Sequence, residues 1–314
     1  MLLEKFTPAT RGALLLITGI SIFGFSDNLT MLVSDQVSVG QFHFSRSLIA
    51  MFMVFGLGRV FGLSVIPKYW KPILIRTFFM VTSMLLYFGV MPMMPIAEAG
   101  AGLFTSPIFV LIFSSIFFKE RIGWRRIVAV ILGSCGVLLV LQPGANGFTF
   151  YQIMPIMAGA CYALGSIITY RYLREESPLA ILMSFIVSIG LCGFLMTTVL
   201  TVFPIAPDLV EQAPFLFKGW QSVDGSFWLW MLIIAVLATT ALSLMTRAYQ
   251  LAQTSYAAIF EYAYLISVGL FSWLFWGIVP NYLSVIGIFL IIFAGVIIVL
   301  APQKPIEEPL YTAV

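Results

Sequence analysis

A chain of 314 residues with 61% hydrophobic and only 9% charged side chains is far from the roughly 45–50% apolar, 25% charged make-up of a soluble domain. One water-exposed fold of this size cannot bury so much apolar surface, so lipid must supply part of the solvent. The formal charge of +3 comes with no basic cluster on a soluble face, which argues against a nucleic-acid partner.

A bilayer span needs about 20 apolar residues. Windows of that kind, separated by polar or Pro/Gly breaks, predict helices near 12–34, 40–62, 73–94, 97–118 and 123–142. A second set follows near 150–172, 178–203, 226–249, 254–277 and 281–301. Ten spans and their loops use nearly the whole sequence and leave no room for a separate soluble domain. The first run lacks a small-residue cleavage site and reads as a retained helix rather than a signal peptide. The long break at 204–225 reads as a loop carrying an interfacial helix. Cys135, Cys161 and Cys192 fall within spans without metal-ligand spacing and read as small buried apolar residues. No metal and no cofactor is expected.

Of the 16 Lys and Arg residues, Arg46 lies in a span and Lys218 in one set of connections, leaving fourteen in the other set. The positive-inside rule then puts both termini in the cytoplasm, at the plasma (inner) membrane, and requires an even number of spans. GVLLVLQP (136–143) is echoed by GVIIVLAP (295–302), an offset of 159 residues. Five spans separate the copies, so they run in opposite senses, as in carriers built from inverted repeats. The expected fold is all-α and integral to the membrane, with ten transmembrane helices as two inverted five-helix repeats. These occupy 1–144 and 145–302, followed by a cytoplasmic tail at 303–314.

The stretches PIAEAGAGLFTSPIFVLIFSSIFFKERIGWRRIVAVILGSCGVLLVLQPG (95–144) and RAYQLAQTSYAAIFEYAYLISVGLFSWLFWGIVPNYLSVIGIFLIIFAGVIIVL (247–300) resemble the drug/metabolite transporter superfamily, in its ten-helix branch with two EamA-type repeats. The K-E-R-x-G-W-R-R pattern at Lys119–Arg126 is the most specific part of the likeness. Asp27 and Phe44-x-Arg46 look similar to S-adenosylmethionine carriers. One departure is that Gly277 is followed by Ile278 and Val279, where the family often has Glu. The resemblance implies carriage of a metabolite and names no substrate.

An ionisable side chain inside a span costs a few kcal/mol and asks for a reason. Asp27 and Arg46 lie about 10 and 9 Å in from the same membrane face at the helical rise per residue. They read either as a structural ion pair or as the border of a cavity where a substrate carboxylate meets the guanidinium; both can hold. Glu261 lies about 10 Å in from the cytoplasmic end of the ninth span, and the repeat sets it opposite Gly102. Phe260, Tyr262 and Tyr264 surround it, with Tyr264 on its face at i+3, where rings could contact a cationic group. The bland alternative is a protonated Glu261 bonded to a neighbouring helix. Tyr87, Tyr162 and His43 complete the candidate substrate-binding set, Glu98 reads as a helix-start carboxylate, and Pro107 predicts a kink.

These residues point to a secondary transporter of a small zwitterionic or cationic metabolite, an amino acid or derivative such as S-adenosylmethionine, working by alternating access. Proton-coupled efflux of lipophilic cations is the alternative. An intramembrane enzyme is disfavoured by a single histidine and by the lack of H-E-x-x-H or G-x-S-x-G, and the lack of a phosphate-binding loop argues against ATP-driven transport by this chain alone. The expected partners are a small-molecule substrate and the lipid bilayer, for a monomer or homodimer.

Overall fold

The computed structural model describes residues 6–30, 32–89, 100, 102–142, 153–212, 214–277 and 279–300. The chain opens with α1 (Pro8–Thr30), α2 (Val39–Phe61) and α3 (Trp70–Gly89). A shorter α4 (Ser106–Phe118) precedes α5 (Trp124–Leu141), α6 (Ile153–Tyr172) and α7 (Pro178–Val202). Two short helices, α8 (Pro207–Gln212) and α9 (Pro214–Phe217), occupy the long loop where an interfacial helix was expected. Then come α10 (Gly225–Leu251), α11 (Thr254–Ala257), a 3-10 segment (Ala258–Tyr262), α12 (Ala263–Trp276) and α13 (Tyr282–Val299). Taking α11 through α12 as one, 9 segments among the described residues are long and apolar enough to cross a membrane, and α4 is a shorter apolar tenth.

Local chemistry sets the helix ends. Ser38, Asp224 and Asn281 cap α2, α10 and α13 by accepting backbone N–H groups of Gln41, Phe227 and Ser284, donors that have no partner within the helix. The Phe227 N–H holds the exposed Asp224 carboxyl below its ordinary pKa, so this cap stabilises at neutral pH and is lost as acid protonates it. Gly62 and Gly277 end α2 and α12 in the left-handed region, at φ 65° and 67°, where a side chain would strain.

Two elements depart from the sequence reading. The first helix ends at Thr30 rather than near 34, because Val33 and Val37 turn back into an apolar cluster with Phe42, Phe227, Met231 and Ile234. The fourth span is interrupted. Helical Gly102 and Leu103 give way to a turn at Phe104–Thr105, and α4 restarts with Pro107 in its first turn, where the missing N–H costs nothing. At 13 residues, α4 is about 20 Å long, short of the roughly 30 Å of a hydrocarbon core. Cys161 is buried as expected, but Cys135 is exposed.

Helix pairing follows a two-fold logic. α2 packs on α7 and α5 on α13; α1 on α10 is matched by α3 on α6, and α1 on α12 by α4 on α6. Exchanging α1 with α6, α2 with α7, α3 with α10, α4 with α12 and α5 with α13 leaves this pattern unchanged, as inverted repeats require. The expected division at 144/145 and the tail at 303–314 lie outside the described residues.

The crossing of α5 with α13 depends on glycine. A Cβ on Gly136 would lie 2.7 Å from the Gly287 carbonyl oxygen, and one on Gly287 2.6 Å from that of Gly136; small residues allow such close backbones in lipid. Gly136→Val is therefore expected to destabilise by about 1–3 kcal/mol, seen as a lower melting temperature in detergent. Gly56→Ala, where nothing lies within 4 Å, should leave melting unchanged or slightly raised.

Candidate functional site

The ninth span winds into a 3-10 helix at Ala258–Tyr262. With three residues per turn, neighbouring side chains leave such a segment about 120° apart. Three consecutive residues accordingly go three ways. Phe260 packs edge-on to Tyr256 (5.4 Å) and among the apolar residues of α13. Tyr262 bonds Ser134 of α5 at 3.0 Å and presses its ring onto Gly133. Glu261, 5% exposed, turns to the middle of the bundle.

There the Glu261 carboxylate accepts a hydrogen bond from the Tyr249 hydroxyl of α10 and one of 3.4 Å from Ser106 at the start of α4. The Tyr162 hydroxyl of α6 faces the same carboxylate. Two interrupted elements thus meet at one acid. Irregular backbone at membrane depth survives only where protein encloses it, and half-helix starts are where carriers meet anionic groups.

Tyr264, three residues further on, donates to Asp27 Oδ2 of α1 at 2.6 Å. Its ring lies 5.7 Å from Phe104 and 6.3 Å from Phe23. Asp27 stands three residues from the end of α1, about 5 Å, so its depth does not match that of Arg46, seven residues into α2. The two feel each other electrostatically, yet no ion pair within 4.0 Å joins them among the described residues. Arg46 instead bonds His43 Nδ1 at 3.2 Å and lies 5.3 Å from the Phe42 ring. His43 packs edge-on to Phe88 at 5.0 Å, beside Tyr87, and its Nε2 is buried without a described partner.

Seven of the eight expected site residues therefore gather in two connected groups: Glu261 with Tyr162, and Asp27, Tyr264, Tyr87, Arg46 and His43. Phe260 does not join them, because the 3-10 winding aims it at α13. The cavity expected beside Asp27 and Arg46 is not open among the described residues, where Glu261 and Arg46 are buried and Asp27 half-buried. A cavity of about 70 Å³ lies beside His43 and Phe88. A larger groove of about 960 Å³ runs between α4 and α5, lined by apolar residues such as Ile112, Ile116 and Ile131; none of the expected site residues lines it. Glu98 lies outside the described residues.

Sequence reasoning missed three members. Tyr249 and Ser106 reach Glu261 from other helices and carry no charge to flag them. Glu120, at the basic end, is the third. It is buried and accepts from Arg126 (3.0 Å), Gln253 (2.6 Å), Ser255 (2.6 Å) and Arg171 (3.4 Å). That node ties the α4–α5 connection to the end of α6 and the start of α11, so it fastens the basic ends of the two expected halves together. The signal was present, since Glu120 and Arg126 belong to the K-E-R-x-G-W-R-R pattern. Arg76, counted above among the basic connections, is buried two turns into α3.

Residues 10–142 match the EamA-like transporter family. The chain is 28% identical to the riboflavin transporter of Vibrio cholerae, over 59% of this chain and 56% of that protein. It is 24% identical to the pseudopaline exporter CntI of Pseudomonas aeruginosa, over 92% of this chain and 94% of that one. It is also 24% identical to the S-adenosylmethionine uptake transporter of Rickettsia prowazekii, over 89% and 87%. A solved crystal structure shares the fold with TM-score 0.75 at 16% identity, covering 92% of this chain and 96% of its own.

Removing the acid of the basic-end node would leave the buried Arg126 without the carboxylate it bonds. Glu120→Ala is expected to cost about 3–5 kcal/mol, read as a large drop in melting temperature of the purified protein. A variant melting with wild type would mean the node is not closed.

Proposed function

We propose, from the premise that this chain is a membrane transporter of the drug/metabolite type with an EamA domain over residues 10–142, that it carries a small zwitterionic or cationic metabolite by alternating access. One observation supports this most: Glu261 is kept inside a span, and its carboxylate is held by hydroxyls of other helices, Tyr249 and Ser106, rather than by a basic side chain. A carboxylate bonded only to neutral donors keeps its negative charge available for a cation, which a salt-bridged one would not. The two similar proteins that align over most of both chains are named for S-adenosylmethionine uptake and pseudopaline export, and S-adenosylmethionine carries ammonium, sulfonium and carboxylate groups.

On this reading the cationic part of the substrate replaces the Tyr249 and Ser106 hydroxyl donors at Glu261. Arg46 receives an anionic group at the opposite level, where Asp27 and His43 hold its surroundings polar. The 3-10 segment and the turn before Pro107 are the places where helices can rewind as the halves 1–144 and 145–302 rock against each other. The basic ends face the cytoplasm of the inner membrane, with both termini inside.

A second reading has one observation in its favour. The Phe23, Phe104 and Tyr264 rings cluster beside the site, and the riboflavin transporters are similar over more than half of this chain, so a planar ring system is the competing substrate.

Counterflow in proteoliposomes separates these readings. Labelled S-adenosylmethionine, amino acids, nucleosides and riboflavin are offered one at a time. Exchange of a cationic or zwitterionic compound is expected, and its loss by tenfold or more in Glu261→Ala with the protein still inserted. Exchange of riboflavin alone would favour the planar reading, and a wild-type rate in Glu261→Ala would remove that carboxylate from the site.

A further inference from the structure

α3 and α6 run side by side in opposite directions. Ser83 bonds the Ala158 carbonyl at 2.8 Å, Met80 covers Gly165, and Arg76 donates to Thr169 Oγ1 at 3.4 Å. Arg76 stands six residues into α3, about 9 Å from its start. An arginine near a helix end usually stretches its head to the interface. Arg76 does not: it is 7% exposed, and its guanidinium lies 5.9 Å from the Phe185 ring.

A guanidinium carries five N–H donors. The one bond to Thr169 is long, and that hydroxyl already donates to the Gly165 carbonyl at 2.9 Å. Arg76 Nη1 is buried with no hydrogen-bond partner among the described residues, and the buried Ser166 hydroxyl faces the Tyr162 and Tyr249 phenols. Buried Arg126 shows how this protein satisfies a structural arginine: its Nη1 meets Glu120 and Ser255 at 3.0 and 2.6 Å. Among the described residues Arg76 has no such counter-charge, and a charged fork left empty inside a bilayer is costly unless something else fills it.

Tyr162, Ser166 and Thr169 follow one another on α6 at i, i+4 and i+7, a single helix face. Thr169 marks Arg76 at one end of that face, and Tyr162 marks Glu261 at the other. The seven-residue spacing is about 10 Å along the axis, less the reach of the side chains. The Tyr162 phenol lies within electrostatic range of both charges.

We propose that Arg76 and Glu261 are the two poles of one binding site, which takes a metabolite bearing a carboxylate at one end and a cationic centre several bonds away. The carboxylate docks on the Arg76 fork and accepts from the Ser166 hydroxyl, while the cationic centre faces Glu261. The inference rests on the transporter reading of Glu261 and adds a second arginine, on the basic side of that acid, to Arg46 on the far side. A carboxylate-bearing substrate then meets a guanidinium on either side of Glu261.

The test uses S-adenosylmethionine and its decarboxylated form, which share sulfonium and ammonium and differ by one carboxylate. Affinities are measured on the purified full chain for wild type, Arg76→Gln and Arg76→Lys. Wild type is expected to prefer the carboxylate form by about tenfold or more. Arg76→Gln should bind both forms equally, and Arg76→Lys should recover part of the preference. A wild type without preference, or an Arg76→Gln that keeps it, overturns the proposal. If wild type binds neither compound, the substrate class proposed above fails, and a separate readout decides the role of Arg76. Arg76→Cys, in a background with Cys135, Cys161 and Cys192 replaced by serine, is exposed to a membrane-impermeant thiol reagent from each side. Labelling from the basic side supports a chamber at Arg76, and no labelling from either side overturns it.

Discussion

Inside a bilayer no water is at hand for a polar group, so its partners come from the protein or from what the protein binds. Most of what is distinctive in this fold answers to that constraint. Glu261 is held by hydroxyls from α10 and α4, Asp27 by Tyr264, and Arg46 by His43 and the Phe42 ring. The two departures from regular helix, at Phe104–Thr105 and Ala258–Tyr262, are enclosed by protein and touch one another through Ser106 and Glu261. A backbone break in lipid would be ruinous, whereas the same break beside a buried acid brings hydrogen-bond donors to it.

The two ends of the bundle are fastened by different physics. At the basic end, Glu120 gathers Arg126, Arg171, Gln253 and Ser255 from three connections. At the opposite end, Val33, Val37 and Phe42 pack on Phe227, Met231 and Ile234. An apolar contact weakens smoothly as its surfaces part, while a buried ion cluster resists until water or a replacement charge enters. The two ends therefore differ in how they would yield, the apolar one gradually and the ionic one abruptly.

The helices were legible because lipid imposes a coarse, strong pattern: ten apolar windows found their counterparts, and the echo of residues 136–143 near 295–302 anticipated the two-fold pairing. Which charges lie inside spans was also legible for Asp27, Arg46 and Glu261. Direction was not. Nothing in the string FEY (260–262) announces a 3-10 turn, so Phe260 was expected beside Glu261 and lies against α13 instead. Apolar Val33 and Val37 extended the first window past Thr30 and made Asp27 look deeper than it is. Arg76 was hidden by the same ambiguity at a helix start, where a basic residue reads as a loop charge until its burial is seen.

The repeat itself explains why the acid occurs once. The offset that pairs the halves sets Glu261 against Gly102. A Cβ on Gly102 would lie 2.7 Å from the Pro155 ring of α6, and a Cβ on Gly159, just beyond it, would lie 2.9 Å from the Leu103 carbonyl oxygen. No side chain, charged or otherwise, fits there while α6 packs so closely. The first half is thus committed to a backbone contact where the second half presents a carboxylate. A two-fold pairing of helices then encloses an asymmetric site, in which one half contributes the acid and the other a backbone contact.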